Sequence, residues 1–174
     1  MIKDGLRWGL ISGALMAVLF SISFVIWPLD NPENYAASEV AGYAGMVISL
    51  GVIYLAIAAH FRDKPDAGVW PRVLLGLGVA FVSGVVFGLF DAAYVSLFDP
   101  GFIDRYYDYA LAQMPQQSGP EYDAAVAEME AQRDLFGNMP MLALVMAATV
   151  WGIGIPITIL AALIHTFLSR RRGA

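Results

Sequence analysis

Four stretches of this sequence lack charged residues over lengths that match the thickness of a lipid bilayer. Residues 8–29, 40–61 and 135–169 contain no Asp, Glu, Lys or Arg, and residues 73–98 contain only Asp91. A hydrocarbon core about 30 Å thick is crossed by about 20 helical residues, and irregular backbone facing lipid would leave its N–H and C=O groups unpaired. The fold class is therefore predicted to be all-α, a four-helix transmembrane bundle. The predicted spans are about 6–27, 39–60, 73–97 and 141–168.

The composition supports a single membrane domain over residues 1–174. Only 14% of the residues are charged and 59% are hydrophobic, whereas a soluble domain carries about 25% charged residues. The start of the chain resembles a secretory signal peptide, because Lys3 and Arg7 precede an apolar run. That run extends from Trp8 to Trp27, which exceeds the usual signal-peptide length of about 7–15 apolar residues. We expect an uncleaved first helix.

The basic residues predict the orientation of the chain. Eight of the ten precede span 1, lie between spans 2 and 3, or follow span 4, and only Arg105 and Arg133 lie on the other side. Because basic residues favour the cytoplasmic side of a membrane, both termini are expected in the cytoplasm. Eleven acidic residues, from Asp30 to Asp134, then fall on the outer side.

The segment 98–139 is predicted to form a short amphipathic cap of two helices outside the membrane. Apolar residues recur at helical spacing on both sides of a break at 115–120, whose sequence is PQQSGP. The segment carries eight acidic residues and two arginines. It is either a solvated cap over the mouth of the bundle or a docking surface for a protein partner or a basic ligand.

Small residues recur every fourth position in the predicted spans. Such stripes let helix backbones approach closely where lipid provides little hydrophobic drive for association. The stripes serve packing within one bundle or, alternatively, homo-oligomer formation. Pro156 in span 4 is expected to kink that helix, because it removes a backbone donor. The glycines predicted to pack are Gly5, Gly9, Gly13, Gly76, Gly84 and Gly88.

Asp91 is the main candidate for a functional polar site. An ionised carboxylate at the bilayer centre costs about 2.5–3.5 kcal/mol on insertion scales, so such residues usually face protein or water. At 1.5 Å per residue, Asp91 lies roughly 10 Å inside the outer end of span 3. Tyr43 and Thr149 are hydroxyl partners at a similar depth, and Arg105 or Arg133 could reach it from the loop. Asp91 is therefore either a structural hydrogen-bonding residue or a proton or ligand site.

The remaining polar residues give little support for catalysis. His60 and His165 share the inner depth, where Asp63 or Asp66 could complete a metal site, but no pair has the usual spacing of metal ligands. We interpret the histidines as interfacial residues and expect no metal and no cofactor. The chain has no cysteine and no nucleophile elbow, so we do not expect an enzyme. Nor do we expect a nucleic-acid partner.

Several motifs together resemble a known bacterial family. They are GLISGALM in span 1, AGYAGMVISLGVIYLAI in span 2, HFRDK at its exit, GVWPRVLLGLGVAFVSGVVFG, and FDPGFIDRYYDYAL. This pattern resembles the domain-of-unknown-function family numbered 4199, most clearly over residues 5–110. The resemblance implies a small four-span membrane protein with a longer loop between spans 3 and 4, and it implies no activity.

Two functions are compatible with these features. The first is a non-enzymatic accessory or scaffold subunit that uses the outer cap as its contact face. The alternative is a small transporter or lipid-handling protein that uses Asp91 in the outer third of span 3. The lipid bilayer is the one partner that both functions require.

Overall fold

The computed structural model describes residues 1–28, 31–114 and 118–172, and helices dominate it. Asp30 and residues 115–117 of the predicted break therefore lie outside the described residues. Within the described ranges the structure contains no β-strand. In these ranges seven α-helices and one short 3-10 helix, Pro32–Asn34, follow one another. The α-helices are α1 (Ile2–Ile26), α2 (Tyr35–Leu50), α3 (Val52–His60), α4 (Val69–Phe98), α5 (Phe102–Ala112), α6 (Pro120–Phe136) and α7 (Met139–Arg172).

Four helical segments of the described chain are long and apolar enough to cross a membrane: α1, α2 together with α3, α4, and α7. The protein is accordingly a membrane protein. Each segment is longer than the span predicted for it, although α1 ends at Ile26, one residue before the predicted end of span 1. The predicted loop segment 98–139 contains α5 and α6; that these two form an extracytoplasmic cap stays a prediction.

Helix α4 is the central element of the fold. Its most extensive contacts are with α7, followed by α1. Small residues allow these close approaches, since a methyl group at Gly88 would overlap the carbonyl oxygen of Ala143 on α7. Most of the predicted packing glycines lie at similarly crowded positions, whereas a methyl group at Gly5 would meet only ordinary contacts, the nearest at 3.8 Å. The crowded ones are Gly9, Gly13, Gly76, Gly84 and Gly88.

Side-chain hydrogen bonds join α4 to both of these neighbours inside the apolar region. The Nε1–H group of Trp151 on α7 donates to the carbonyl oxygen of Phe81 on α4 over 3.1 Å, and the two rings stack with centroids 5.1 Å apart. The hydroxyl of Ser83 on α4 is shared between the carbonyl oxygen of Val79 in its own helix, at 2.8 Å, and that of Gly9 on α1, at 3.2 Å. These bonds fix the register of α4 against both neighbours, since no water competes for the same groups in lipid.

The second span is interrupted at Gly51, which the sequence did not predict. The N–H of Tyr54 bonds the carbonyl of Gly51 over 3.1 Å, so the helix tightens locally into a 3-10 turn. The hydroxyl of Ser12 on α1 donates to the carbonyl of Ser49 over 2.8 Å. A side chain from the neighbouring helix thus satisfies a carbonyl at the point of interruption.

Helix α7 contains Pro156 without ending there. Proline has no N–H, so the carbonyl of Gly152 lacks its usual partner four residues later. The kink expected at this position remains a prediction. Near Pro156, a methyl group at Gly154 would lie 2.8 Å from Cβ of Ala80, so the proline-containing segment also packs closely against α4.

Candidate ligand-binding site

A cavity of about 350 Å³ lies between α1, α2, α4, α5 and α7, at the end of the bundle where α5 is located. We call this end the α5 end. The volume falls in the range of about 300–1,000 Å³ that is usual for small-molecule sites. Most of the lining is apolar or aromatic. The aromatic lining residues are Phe20, Phe24, Tyr35, Tyr43, Tyr94, Phe102, Tyr106 and Tyr107.

Asp91 lines this cavity and is only 5% exposed. It lies seven residues before the end of α4 at Phe98, which corresponds to a depth of about 10 Å. Gly88 and the fully buried Ala92 flank it on the packed side of α4, where the backbone of α7 approaches Gly88 closely. Within the described parts of the chain, the Asp91 carboxyl has no hydrogen bond and no ion pair.

The other two residues of the predicted polar site line the same cavity. Thr149 reaches it from α7 and Tyr43 from α2. Neither of the two hydroxyls has a described hydrogen bond to Asp91: the Thr149 hydroxyl donates to the carbonyl of Val145 over 3.0 Å, and Tyr43 is 48% exposed at the edge of the cavity. The structure brings the three residues together around a space rather than into direct contact.

The two arginines considered as partners of Asp91 form ion pairs elsewhere. Nη2 of Arg105 lies 2.6 and 2.7 Å from the two carboxylate oxygens of Asp99, just past the end of α4. Arg133 on α6 binds Asp104 on α5 over 2.6 Å. The first pair joins α5 to the end of α4 and the second joins α5 to α6. Asp99 raises the pKa of Arg105 through its hydrogen bond.

Sequence reasoning missed two further carboxyl groups of the cavity, Glu39 and Asp99. Glu39 is exposed and lies one helical turn before Tyr43 on α2. That spacing of four residues places both side chains on one helix face. The same reasoning that selected Tyr43 could therefore have selected Glu39. Asp99 lies beyond the last turn of α4, and its place in the wall depends on how the chain turns into α5.

The aromatic residues of α5 close the cavity from the α5 end. The Tyr35 ring lies 6.3 Å from Phe102 and 4.9 Å from Tyr109, measured between centroids. Burial raises the pKa of the Tyr106 hydroxyl, and the nearby carboxylate of Glu39 raises it further. Glu39 therefore places a carboxylate at the edge of the cavity, near the Tyr106 hydroxyl.

Comparison with known families agrees with the sequence resemblance. Residues 7–171 match the family described as Protein of unknown function (DUF4199). The chain belongs to the DUF4199 family. No curated protein and no solved structure matches this chain. The range matched to DUF4199 includes every residue that lines the cavity.

The two histidines lie at the opposite end of this DUF4199 chain. Each has a described hydrogen-bonding partner that does not belong to a group of metal ligands. Nδ1 of His60 lies 2.9 Å from an Asp4 carboxylate oxygen, and Nδ1 of His165 accepts a hydrogen bond from Nε of Arg72 over 3.0 Å. Among the described residues, no three His, Cys, Asp or Glu side chains converge as metal ligands do. Sequence reasoning treated Arg72 only as a cytoplasmic positive charge and missed its burial.

Proposed function

We propose that this protein is a non-enzymatic lipid-handling or small-transporter protein that binds an amphipathic ligand in the cavity around Asp91. One observation carries the proposal: a nearly buried carboxyl without a described partner faces a cavity of about 350 Å³. Intramembrane acids that face a cavity usually mark ligand or ion pathways. Aromatic walls around a single charged group are also typical of sites that bind a polar head on an apolar body.

Binding rather than catalysis is favoured by the chemistry of the walls. General acid–base catalysis needs a base and an acid within hydrogen-bond reach of the substrate. Among the described lining residues there is no histidine or lysine, and none of the lining side chains has a described hydrogen bond to Asp91, so no acid–base pair is assembled there. Its carboxyl suits the recognition of a ligand.

We further propose that the α5 end faces the outside of a bacterial inner membrane. The support is the charge distribution, because Lys3, Arg7, Arg62, Lys64 and the arginines after residue 169 belong to the opposite end. A reporter protein fused at Gly119, between α5 and α6, tests this orientation. Activity of an extracytoplasmic reporter is expected, and a cytoplasmic signal would overturn the orientation.

Native mass spectrometry detects a bound ligand by its mass, whatever its chemical identity. The protein is released gently from its own membranes, and wild type is compared with Thr149→Trp, which places an indole in the cavity wall. The matched control is Leu144→Trp, whose side chain is 51% exposed on the same helix. We expect a small-molecule adduct on wild type and the control but not on Thr149→Trp. An adduct that all three proteins retain, or none of them carries, would contradict the proposal.

An accessory or scaffold role is the second candidate. The side chains described for α6 include none that is fully buried, and the helix contacts mainly α5 and α7. A helix this exposed and acidic can serve as a contact face for a protein partner. The same mass spectra test this role, since a second polypeptide at fixed stoichiometry would support it. A second copy of the chain in the spectra would instead indicate a homo-oligomer.

A further inference from the structure

We infer that the ligand of the cavity is an amphipathic organic cation, an apolar chain or ring system with an ammonium head that lies against Asp91. This inference rests on the proposed function and adds the chemical class of the ligand. It is argued from the charges, the aromatic walls and the opening of the cavity.

The charged groups of the cavity are all acidic. Its described lining contains three carboxyl groups, on Glu39, Asp91 and Asp99, and no basic side chain. Arg105 neutralises Asp99 through its two short contacts, whereas neither Glu39 nor Asp91 has a described ion pair. A phosphate or carboxylate head would face uncompensated negative charge here. A cationic head would meet two carboxyl groups that no described basic side chain neutralises.

An ionised Asp91 would require compensation that the described residues do not supply. A carboxylate removed from water is unfavourable unless it is paired and hydrogen-bonded. An ammonium group satisfies both needs, because it carries the opposite charge and, when it bears N–H groups, donates hydrogen bonds. An inorganic divalent cation fits less well, because such ions take six or more oxygen ligands and no group of three ligands converges in the described chain.

The aromatic walls favour a cation with an organic body. Phe24 and Tyr94 lie on facing helices with ring centroids 4.7 Å apart, and Phe20 lies 4.6 Å from Phe24. The faces of aromatic rings are negative and attract ammonium groups, which is how aromatic cages recognise quaternary ammonium ligands. The same rings bury the apolar part of the ligand.

The opening of the cavity also selects for positive charge. Of the lining residues, Glu39, Tyr43 and Tyr106 remain exposed, and they mark the side at which the cavity opens between α2 and α5. The carboxylate of Glu39 contributes to the raised pKa of Tyr106. A negative opening of this kind raises the local concentration of cations and speeds their association.

Equilibrium binding of three matched probes tests the inference. Decyltrimethylammonium, decyl sulfonate and decanol share one chain and differ in the charge of the head. Binding is measured by calorimetry on the full chain in neutral maltoside micelles, with Thr149→Trp as the blocked cavity and Asp91→Asn as the variant that lacks the charge. Asp66→Asn, an exposed residue at the opposite end, is the matched charge control.

We expect wild type and Asp66→Asn to bind the ammonium probe in preference to the other two. Asp91→Asn should lose roughly thirtyfold or more in affinity for that probe, the loss usual when one partner of a buried charge pair is removed. If wild type binds all three probes equally and Thr149→Trp abolishes this binding, the cation inference is overturned and the proposed function stands. Unchanged ammonium binding by Asp91→Asn would also overturn the inference. If Thr149→Trp alters the binding of no probe, both the inference and the proposed function fail.

Discussion

Arg72 on α4 and His165 on α7 are joined by a 3.0 Å hydrogen bond from Nε of the arginine to Nδ1 of the histidine. The guanidinium is fully buried and also donates to the carbonyl oxygens of Pro65, Ala67 and Gly68 in the loop before α4. One side chain thus connects that loop, α4 and α7. The end of the bundle opposite the cavity is closed by this polar network, whereas the α5 end encloses a space.

Replacement of Arg72 by Gln should destabilise the protein. The change leaves the carbonyl groups of the loop and the His165 ring without this donor, and hydrogen bonds to charged groups contribute about 1.5–3 kcal/mol each. We therefore expect the free energy of unfolding to fall by roughly 3 kcal/mol, measured by chemical denaturation in micelles. Arg62→Gln, at an exposed position in the same loop region, is the control. Equal effects of the two substitutions would show that Arg72 contributes only its charge.

Gly88→Ala tests the close packing of α4 against α7. The added methyl group would overlap the carbonyl oxygen of Ala143, and overpacking of this kind typically costs 1–3 kcal/mol, so a loss of about 2 kcal/mol is expected. Gly78→Ala on the same helix is the matched control, because no atom of another helix lies within 4 Å of its added methyl group. The control should be neutral or more stable by up to about 1 kcal/mol, since alanine favours helices. Thermal unfolding midpoints that fall equally for both would contradict the packing described here.

Ser12→Ala tests the interruption of the second span at Gly51. The hydroxyl of Ser12 satisfies the carbonyl of Ser49 across the helix interface, and such bonds contribute on average about 0.6 kcal/mol in membrane proteins. We expect a loss of that size together with faster amide hydrogen exchange near Gly51. Ser21→Ala is the control, because its hydroxyl bonds the carbonyl of Ala17 in its own helix. Similar exchange near Gly51 in both variants would count against a role for Ser12 there.

Asp91→Asn should stabilise the protein when no ligand is added. The substitution removes a nearly buried ionisable group that has no described partner, and burial of such groups typically costs 1 kcal/mol or more, so the free energy of unfolding should rise by about 1 kcal/mol. Asp66→Asn should change it by less than about 0.5 kcal/mol, as is usual for exposed positions. A marked loss of stability in Asp91→Asn alone would instead identify a structural hydrogen bond, the other role considered for this residue.

The membrane-spanning helices could be predicted because their signal is local. A charge-free run of sufficient length leaves few alternatives in lipid, and the structure has a long apolar helix for each of the four runs. The position of Asp91 could also be predicted from the sequence, since its neighbours Gly88 and Ala92 belong to a stripe of small residues that packs against protein. Both inferences use the periodicity of one helix at a time.

Features that depend on two or more helices could not be predicted in this way. The interruption at Gly51 involves Ser12 on another helix, and the burial of Arg72 depends on the position of His165 along α7. The cavity itself requires α5 to fold back against Tyr35, a contact between residues far apart in sequence. Helix periodicity predicts which face packs, but the register between helices is decided by contacts such as these.

Photolabelling in native membranes tests most directly whether the cavity around Asp91 binds a ligand. Decylamine and decanol derivatives that carry a diazirine are added to membranes containing wild type, Thr149→Trp or Leu144→Trp, and the labelled peptides are identified after irradiation. We predict labelling of cavity residues on α2, α4 and α7 in wild type and Leu144→Trp, and its loss in Thr149→Trp. Labelling confined to lipid-facing residues such as Val18 and Ile22, and equal in all three proteins, would contradict the account.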